Sequence, residues 1–247
     1  MIKKILLILL EIFLVANFIW LITLGNKKLL LPFVLYQFII IIVINAHFIK
    51  NFKFSKFFRR SLYYIPHIIS IFLISFEKPD YGEIGILVWL LISIGIGLVL
   101  SIPKLFTSRY LFNREMVLFL PSLSIKEYLF DLYSYIMAPP FQEIFYKAFL
   151  LYIILKVYPY PIALLILGIL FVSEHYFHFA SNKFFSSLDY IIQFIFSIIS
   201  GYIFILTKSL LLCIVIHLIY NFIALLTPSY RLIIQKFYSN TNKKSLV

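Results

Sequence analysis

Long apolar runs alternate with short polar segments along almost the whole chain. A helix needs about 20 mostly apolar residues to cross the hydrocarbon core of a bilayer, and several of these runs approach that length. We therefore predict a polytopic bundle of about eight spanning helices. They are predicted at residues 5–24, 29–49, 61–76, 84–102, 140–157, 161–177, 189–206 and 209–226.

Local signals mark where some of these helices begin. The segment "SIKE", from Ser124 to Glu127, fits a capping box, in which Ser and Glu satisfy the first helical N–H groups. The mixed stretch 111–137 around it predicts an amphipathic helix at the membrane surface. We expect Asp189 to cap the seventh helix, and Pro140 to start the fifth, since proline suits the first helical turn.

Composition supports a membrane protein. Of the 247 residues, 63% are hydrophobic and 13% are charged, and the mean hydropathy is +1.01. A soluble domain carries about 25% charged residues, so this chain has too little polar surface to face water. The predicted fold class is all-α, with the lipid bilayer as the main solvent. Cys213 is the single cysteine, which excludes an intrachain disulfide.

The net charge of +12 follows from basic loops rather than from a nucleic-acid-binding surface. Basic residues concentrate at 50–60, at 104–114 and after Arg231, whereas the loop 77–83 is acidic. Cytoplasmic loops are enriched in Lys and Arg, so eight spans with both termini in the cytoplasm fit this distribution. We expect an integral protein of a bacterial cytoplasmic membrane and no nucleic-acid partner.

Several polar residues lie inside the predicted spans, where ionisable groups are costly and often functional. Glu143 has an ordinary explanation as an ion pair with Lys147, four residues along the helix. His175 follows Glu174 and precedes His178, and such a His-x-x-His pair is weak evidence for a metal site. No metal and no other cofactor is expected.

His217 and Asn221 are four residues apart and share one face of the eighth helix. Hydrogen bonding between helices is their ordinary explanation. The predicted topology nevertheless places them at a depth similar to that of Glu143 and His175, near the cytoplasmic side. A carboxylate, two imidazoles and an amide can form a polar cavity that activates water and stabilises an oxyanion, as amide hydrolysis requires.

Three short motifs resemble those of the CAAX protease and bacteriocin-processing (CPBP) family. "APPFQEIFYKAFLLY", at 138–152, is similar to the Glu-Glu-x-x-x-Arg motif. "FVSEH", at 171–175, matches Phe-x-x-x-His, and "HLIYN", at 217–221, matches His-x-x-x-Asn. The order and approximate spacing also agree, and the resemblance covers about 124–226.

The resemblance implies an all-helical intramembrane peptidase, like the enzymes that remove the last three residues of prenylated CAAX proteins. It assigns water activation to a glutamate of motif one together with His175, and the oxyanion site to His217 and Asn221. Glu143 occupies the second glutamate position of motif one. The chain departs from the motif at Gln142, in the first glutamate position, and at Lys147, in the arginine position.

Two functional interpretations follow. In one, the protein cleaves a membrane-associated peptide or protein, with Glu143 or His175 as base and with Gln142, Lys147 and Glu174 in support. In the other, it is a pseudoenzyme that acts as a binding, immunity or accessory protein, because an amide such as Gln142 cannot accept a proton from water at neutral pH. A transporter or channel accessory is a more distant third. The oligomeric state is not predicted.

The predicted division of the chain places the four N-terminal helices and a surface segment in 1–123. The core that carries the motifs occupies 124–230, and a basic cytoplasmic tail occupies 231–247.

Overall fold

The computed structural model describes residues 27–45, 54–74, 77–178 and 185–244. The first predicted span, 5–24, lies outside them. Within these ranges all regular structure is helical, which confirms the all-α class. In chain order the elements are α1 (Lys27–Asn45), α2 (Ser55–Ile71), α3 (Gly85–Ser108), a 3-10 helix (Arg109–Phe112), α4 (Arg114–Phe119), α5 (Ile125–Glu143), a π-helix (Ile144–Leu151), α6 (Tyr152–Ile154), α7 (Tyr160–Phe177), α8 (Ser187–Thr207) and α9 (Leu210–Lys244).

Four of the described helical stretches are long and apolar enough to cross a membrane. They are Gly85–Phe112, Tyr160–Phe177, Ser187–Thr207 and Leu210–Tyr238. A shorter apolar helix covers Leu29–Asn45. These stretches support an integral membrane protein, whereas the number of eight spans and their orientation remain predictions.

The capping box predicted at Ser124 and Glu127 is confirmed. The expected cap at Asp189 is corrected, because Ser186 is the N-cap of α8 and Asp189 is the third helical residue of its capping box. The backbone N–H of Ser124 donates to the carboxylate of Glu127 at 3.1 Å, and the N–H of Glu127 donates back to the Ser124 hydroxyl at 3.2 Å. At the start of α8 the same reciprocal bonds join Ser186 and Asp189, at 2.8 and 3.2 Å. Each box satisfies N–H groups that have no partner inside their helix.

The prediction that Pro140 starts a helix is wrong. α5 begins at Ile125 and runs through both Pro139 and Pro140. The π-helix follows directly after Glu143, so the helical path is irregular just past the prolines. Proline removes a backbone donor, and membrane helices tolerate this where neighbouring groups satisfy the freed carbonyls.

The last helix also extends beyond its predicted end near residue 226, because α9 continues through Pro228 to Lys244. The hydroxyls of Thr227 and Ser229, on either side of this proline, donate to the carbonyls of Ile223 and Leu225 at 2.9 and 2.8 Å. They add side-chain donors in the turn before the proline, where the helix lacks the backbone bond that Pro228 cannot donate.

The described residues form two compact units. The domain boundaries predicted from the sequence remain predictions. The first comprises residues of Met1–Asp80 and Phe141–Leu210. Its helices α7 and α8 approach closely because Gly201 lacks a side chain. A Cβ there would lie 2.8 Å from a methyl group of Leu164 and 3.0 Å from one of Leu167.

The second unit comprises residues of Tyr81–Pro140 and Leu211–Val247. Gly97 of α3 meets α9 within it, and a Cβ at Gly97 would lie 2.9 Å from the backbone oxygen of Ile216. Farther along α9, the amide of Gln235 donates to the carbonyls of Val117 and Leu120 at 3.1 and 3.2 Å. Small residues and side-chain amides thus fix the helices of this unit.

Candidate active site

A buried carboxylate, Glu174, is the centre of a polar cluster in the first unit. Its side chain has no exposed surface. The hydroxyl of Tyr63 donates to Oε1, the hydroxyl of Tyr146 donates to Oε2 at 2.5 Å, and the amide of Gln142 donates to Oε1 at 3.0 Å. Donors from α2, α5 and the π-helix therefore converge on one residue of α7. We call Tyr63, Gln142, Tyr146 and Glu174 the Glu174 cluster.

Gln142 joins the first two motifs. Its Nε2 donates to the hydroxyl of Tyr63 at 2.7 Å as well as to Glu174. A primary amide has two N–H donors, so both are used within the cluster. The helix α5 holds this residue one position before its end, and the side chain is 4% exposed. Motif one therefore contacts motif two through an amide and a carboxylate.

Glu143 has different partners from its neighbour Gln142. Its Oε2 lies 3.7 Å from the ammonium nitrogen of Lys147, and the hydroxyl of Ser200 donates to it at 3.4 Å. Lys147 also donates to the backbone oxygen of Ser197 at 3.4 Å. Adjacent positions on an α-helix differ by about 100° in direction. Gln142 therefore contacts α2 and α7, whereas Glu143 contacts α8.

The ion pair between Glu143 and Lys147 is fully buried, with no exposed side-chain surface on either residue. The rings of Phe171 and Phe196 lie 5.7 and 5.8 Å from the Lys147 nitrogen. Lys147 belongs to the π-helix, in which backbone bonds skip one residue more than in an α-helix. The pair expected from the sequence is confirmed, and it stabilises a charge that would otherwise be costly.

His175 lies beside the Glu174 cluster and is half-buried. Its Nδ1 lies 2.8 Å from the carbonyl oxygen of Phe171 and must therefore be the donor of that bond. In the neutral ring the lone pair is then on Nε2. Its ring centroid lies 5.9 Å from that of His178, whose Nε2 is 3.9 Å from Oε1 of Glu174. Among the described residues no group of three or more His, Cys, Asp or Glu side chains could hold a metal ion.

His217 and Asn221 lie on α9, in the second unit, four residues apart on one helix face. His217 is 3% exposed and its ring centroid is 6.5 Å from that of Tyr220. The contact of Gly97 with the backbone at Ile216 fixes the helix one residue before His217. The catalytic roles of His217 and Asn221 remain predictions, as do those of Glu143 and His175.

Sequence reasoning missed three donors in these clusters, Tyr63, Tyr146 and Ser200, and it missed the acceptor Ser197. Tyr146 follows Gln142 by four residues, and this spacing places both side chains on one helix face. Ser197 and Ser200 are three residues apart in an otherwise apolar run, which is a comparable signal. Tyr63 gives no such signal, because it is 111 residues away from Glu174 along the chain.

Comparison with known proteins gives one family. Residues 124–223 match the family described as type II CAAX prenyl endopeptidase Rce1-like. No curated protein and no solved structure matches the chain. The matched segment contains all three motifs, from Gln142 to Asn221. The resemblance expected from the motifs is thereby confirmed: residues 124–223 are similar to the Rce1-like type II CAAX prenyl endopeptidases.

Proposed function

We propose that the protein is an intramembrane endopeptidase that hydrolyses a peptide bond of a membrane-associated peptide or protein. One observation carries the proposal: Gln142 of motif one donates a hydrogen bond of 3.0 Å to Glu174, the residue before His175 of motif two. The matched family supplies the reaction type. The bilayer and a peptide substrate are the partners that such a reaction requires.

The reaction needs a proton acceptor for water and donors for the oxyanion. A carboxylate, either Glu143 or Glu174, together with His175 takes the proton while the water oxygen bonds to the peptide carbonyl carbon. His217 and Asn221 donate hydrogen bonds to the resulting oxyanion. The C–N bond then breaks, the leaving nitrogen takes the proton, and the products are a carboxylic acid and an amine.

A second candidate function is that of a catalytically impaired binding, immunity or accessory protein with the same fold. Two observations favour it. Gln142 carries an amide where the motif has a glutamate, and the charge of Glu143 is balanced by Lys147 at 3.7 Å. In this case the Glu174 cluster would hold α2, α5 and α7 together and would have no part in catalysis.

The experiment that separates the two candidates uses the full-length protein in liposomes. A prenylated peptide with a CAAX terminus and its unprenylated counterpart are incubated with wild type, with His175→Ala and His217→Ala, and with the exposed control Glu83→Gln. We expect a C-terminal fragment by mass spectrometry with wild type and the control, and loss of it in both histidine variants. Absence of cleavage by wild type, with cleavage by Gln142→Glu, would establish the impaired form.

A further inference from the structure

We infer that Glu174 is the water-activating carboxylate of the proposed peptidase site and that Gln142, Tyr63 and Tyr146 are its positioning residues. The inference rests on the proposed function, because it assigns the proton acceptor of that reaction. It places the acceptor on α7, next to His175 in the chain, and not on Glu143.

The hydrogen bonds of Glu174 leave room for one more donor. A carboxylate offers about four acceptor positions. Tyr63 and Gln142 occupy two positions on Oε1, and Tyr146 occupies one on Oε2. The contacts within the described residues thus leave one position on Oε2 for a water molecule. The three donors also fix the orientation of the carboxylate, which general base catalysis requires.

The amide of Gln142 fits beside the side chain of Glu174 better than a second carboxyl group would. With a glutamate at position 142, a second carboxylate would lie about as far from Glu174 as the Gln142 amide does now, which is 3.0 Å. Two carboxylates that close cannot both be ionised. An amide has the same planar shape and supplies the two N–H donors that Tyr63 and Glu174 accept. Gln142 therefore supplies donors to a carboxylate that lies on α7.

Glu143 is engaged elsewhere, which leaves Glu174 as the carboxylate of the cluster. Its contacts with Lys147 and Ser200 lie on the α8 side of the helix. If Glu143 took a proton from water, it would lose its negative charge. The charge of Lys147, which is fully buried, would then have no counterion.

In the step so assigned, a water molecule gives its proton to Oε2 of Glu174 as its oxygen bonds to the peptide carbonyl carbon. His175, the next residue of α7, is the second group that acts on that water in the proposed reaction. When the C–N bond breaks, the leaving nitrogen takes the proton back from Glu174. The carboxylate is regenerated and no other reactant is consumed.

The test compares wild type, Glu174→Gln, Gln142→Glu and the exchange variant Gln142→Glu/Glu174→Gln, with Glu83→Gln as control. Thermal unfolding in detergent and cleavage of the prenylated peptide in liposomes are measured for each. We expect Glu174→Gln to lower kcat by about 10²- to 10⁴-fold, the usual contribution of a general base, with KM unchanged. Gln142→Glu is expected to unfold earlier than wild type at neutral pH, because the folded protein must hold one of the two carboxylates protonated while the unfolded chain ionises both. It should regain stability on acidification, since both carboxyl groups of the unfolded chain are then protonated too.

The exchange variant keeps one carboxylate and one amide in the cluster. We expect it to unfold near the wild-type temperature and to be at least tenfold more active than Glu174→Gln. If Glu174→Gln does not fold, the exchange variant is compared with wild type instead, and a folded exchange variant without activity would overturn the inference. Two results would overturn the inference: a wild-type kcat in Glu174→Gln, or a folded exchange variant that is no more active than Glu174→Gln. The proposed function would still stand if His175→Ala is inactive. Wild type without peptidase activity would overturn both.

Discussion

Glu143 and Lys147 form an ion pair of 3.7 Å in which neither side chain has any exposed surface. The pair lies where α5 gives way to the π-helix and contacts α8 through Ser200 and Ser197. A buried pair contributes little net stability, yet removal of one partner leaves an isolated charge in a region of low dielectric.

Lys147→Met should therefore destabilise the protein by about 3–5 kcal/mol. Glu143→Gln/Lys147→Met should cost less, because no charge is left unpaired. Lys208→Met is the matched control, since Lys208 pairs with Glu77 at 3.6 Å with both side chains partly exposed. An exposed pair contributes about 1 kcal/mol or less. Thermal unfolding in detergent measures all three, and equal losses in the two single variants would contradict the buried-pair account.

Tyr146→Phe should lower kcat with little change in KM. It removes the 2.5 Å hydrogen bond to Glu174 and retains the ring, and a bond to a charged group contributes about 1.5–3 kcal/mol. Tyr202→Phe serves as control, because the Tyr202 side chain is 46% exposed. Steady-state cleavage kinetics in liposomes give both constants. An unchanged kcat in Tyr146→Phe would show that Tyr146 does not position a reacting group.

Gly97→Ala should destabilise the second unit by about 1–3 kcal/mol, the usual cost of overpacking. The added Cβ would lie 2.9 Å from the backbone oxygen of Ile216, which cannot turn away as a side chain can. Gly95→Ala is the same chemical change in the same helix, with nothing within 4 Å of the new Cβ. It should cause no loss. Denaturant unfolding compares them, and indistinguishable variants would exclude the close contact of α3 with α9.

Ser186→Ala should cost about 1 kcal/mol, since it removes one half of the capping box of α8. The Ser186 hydroxyl accepts from the backbone N–H of Asp189 at 3.2 Å. Ser187→Ala, one residue later on the exposed first turn, is the control and should be near neutral. Unfolding temperatures of the two alanine variants decide whether the cap stabilises the helix start.

Much of the fold follows from the sequence because apolar run length and capping chemistry are local. The predicted span 161–177 agrees with Tyr160–Phe177, and the capping box at Ser124 forms as expected. Asp189 takes part in a capping box as well, although the N-cap of that helix is Ser186. The continuation of α5 through Pro140 was not predictable from such rules. The rule that proline ends a helix considers only the backbone hydrogen bond that proline cannot donate. Whether other groups compensate for that lost bond depends on the packing of the surrounding helices.

The site was predictable only in part, for a geometric reason. The motifs predicted Glu143, His175, His217 and Asn221 as catalytic residues, with Gln142, Lys147 and Glu174 in support. Apart from the ion pair of Glu143 with Lys147, they did not assign the contacts of these side chains. Neighbouring positions such as Gln142 and Glu143 face different helices, so the partner of each depends on tertiary packing. The donor Tyr63 comes from α2, outside the motif-bearing part of the chain, and only the folded structure brings it to Glu174.

We propose that this protein hydrolyses a peptide bond within the membrane. The most direct measurement is cleavage of the prenylated peptide in liposomes made with water labelled with heavy oxygen, followed by mass spectrometry of both fragments. We predict that wild type places one labelled oxygen in the new carboxyl terminus and that His175→Ala yields no labelled fragment. Intact peptide with wild type, or equal labelling with His175→Ala, would contradict the claim.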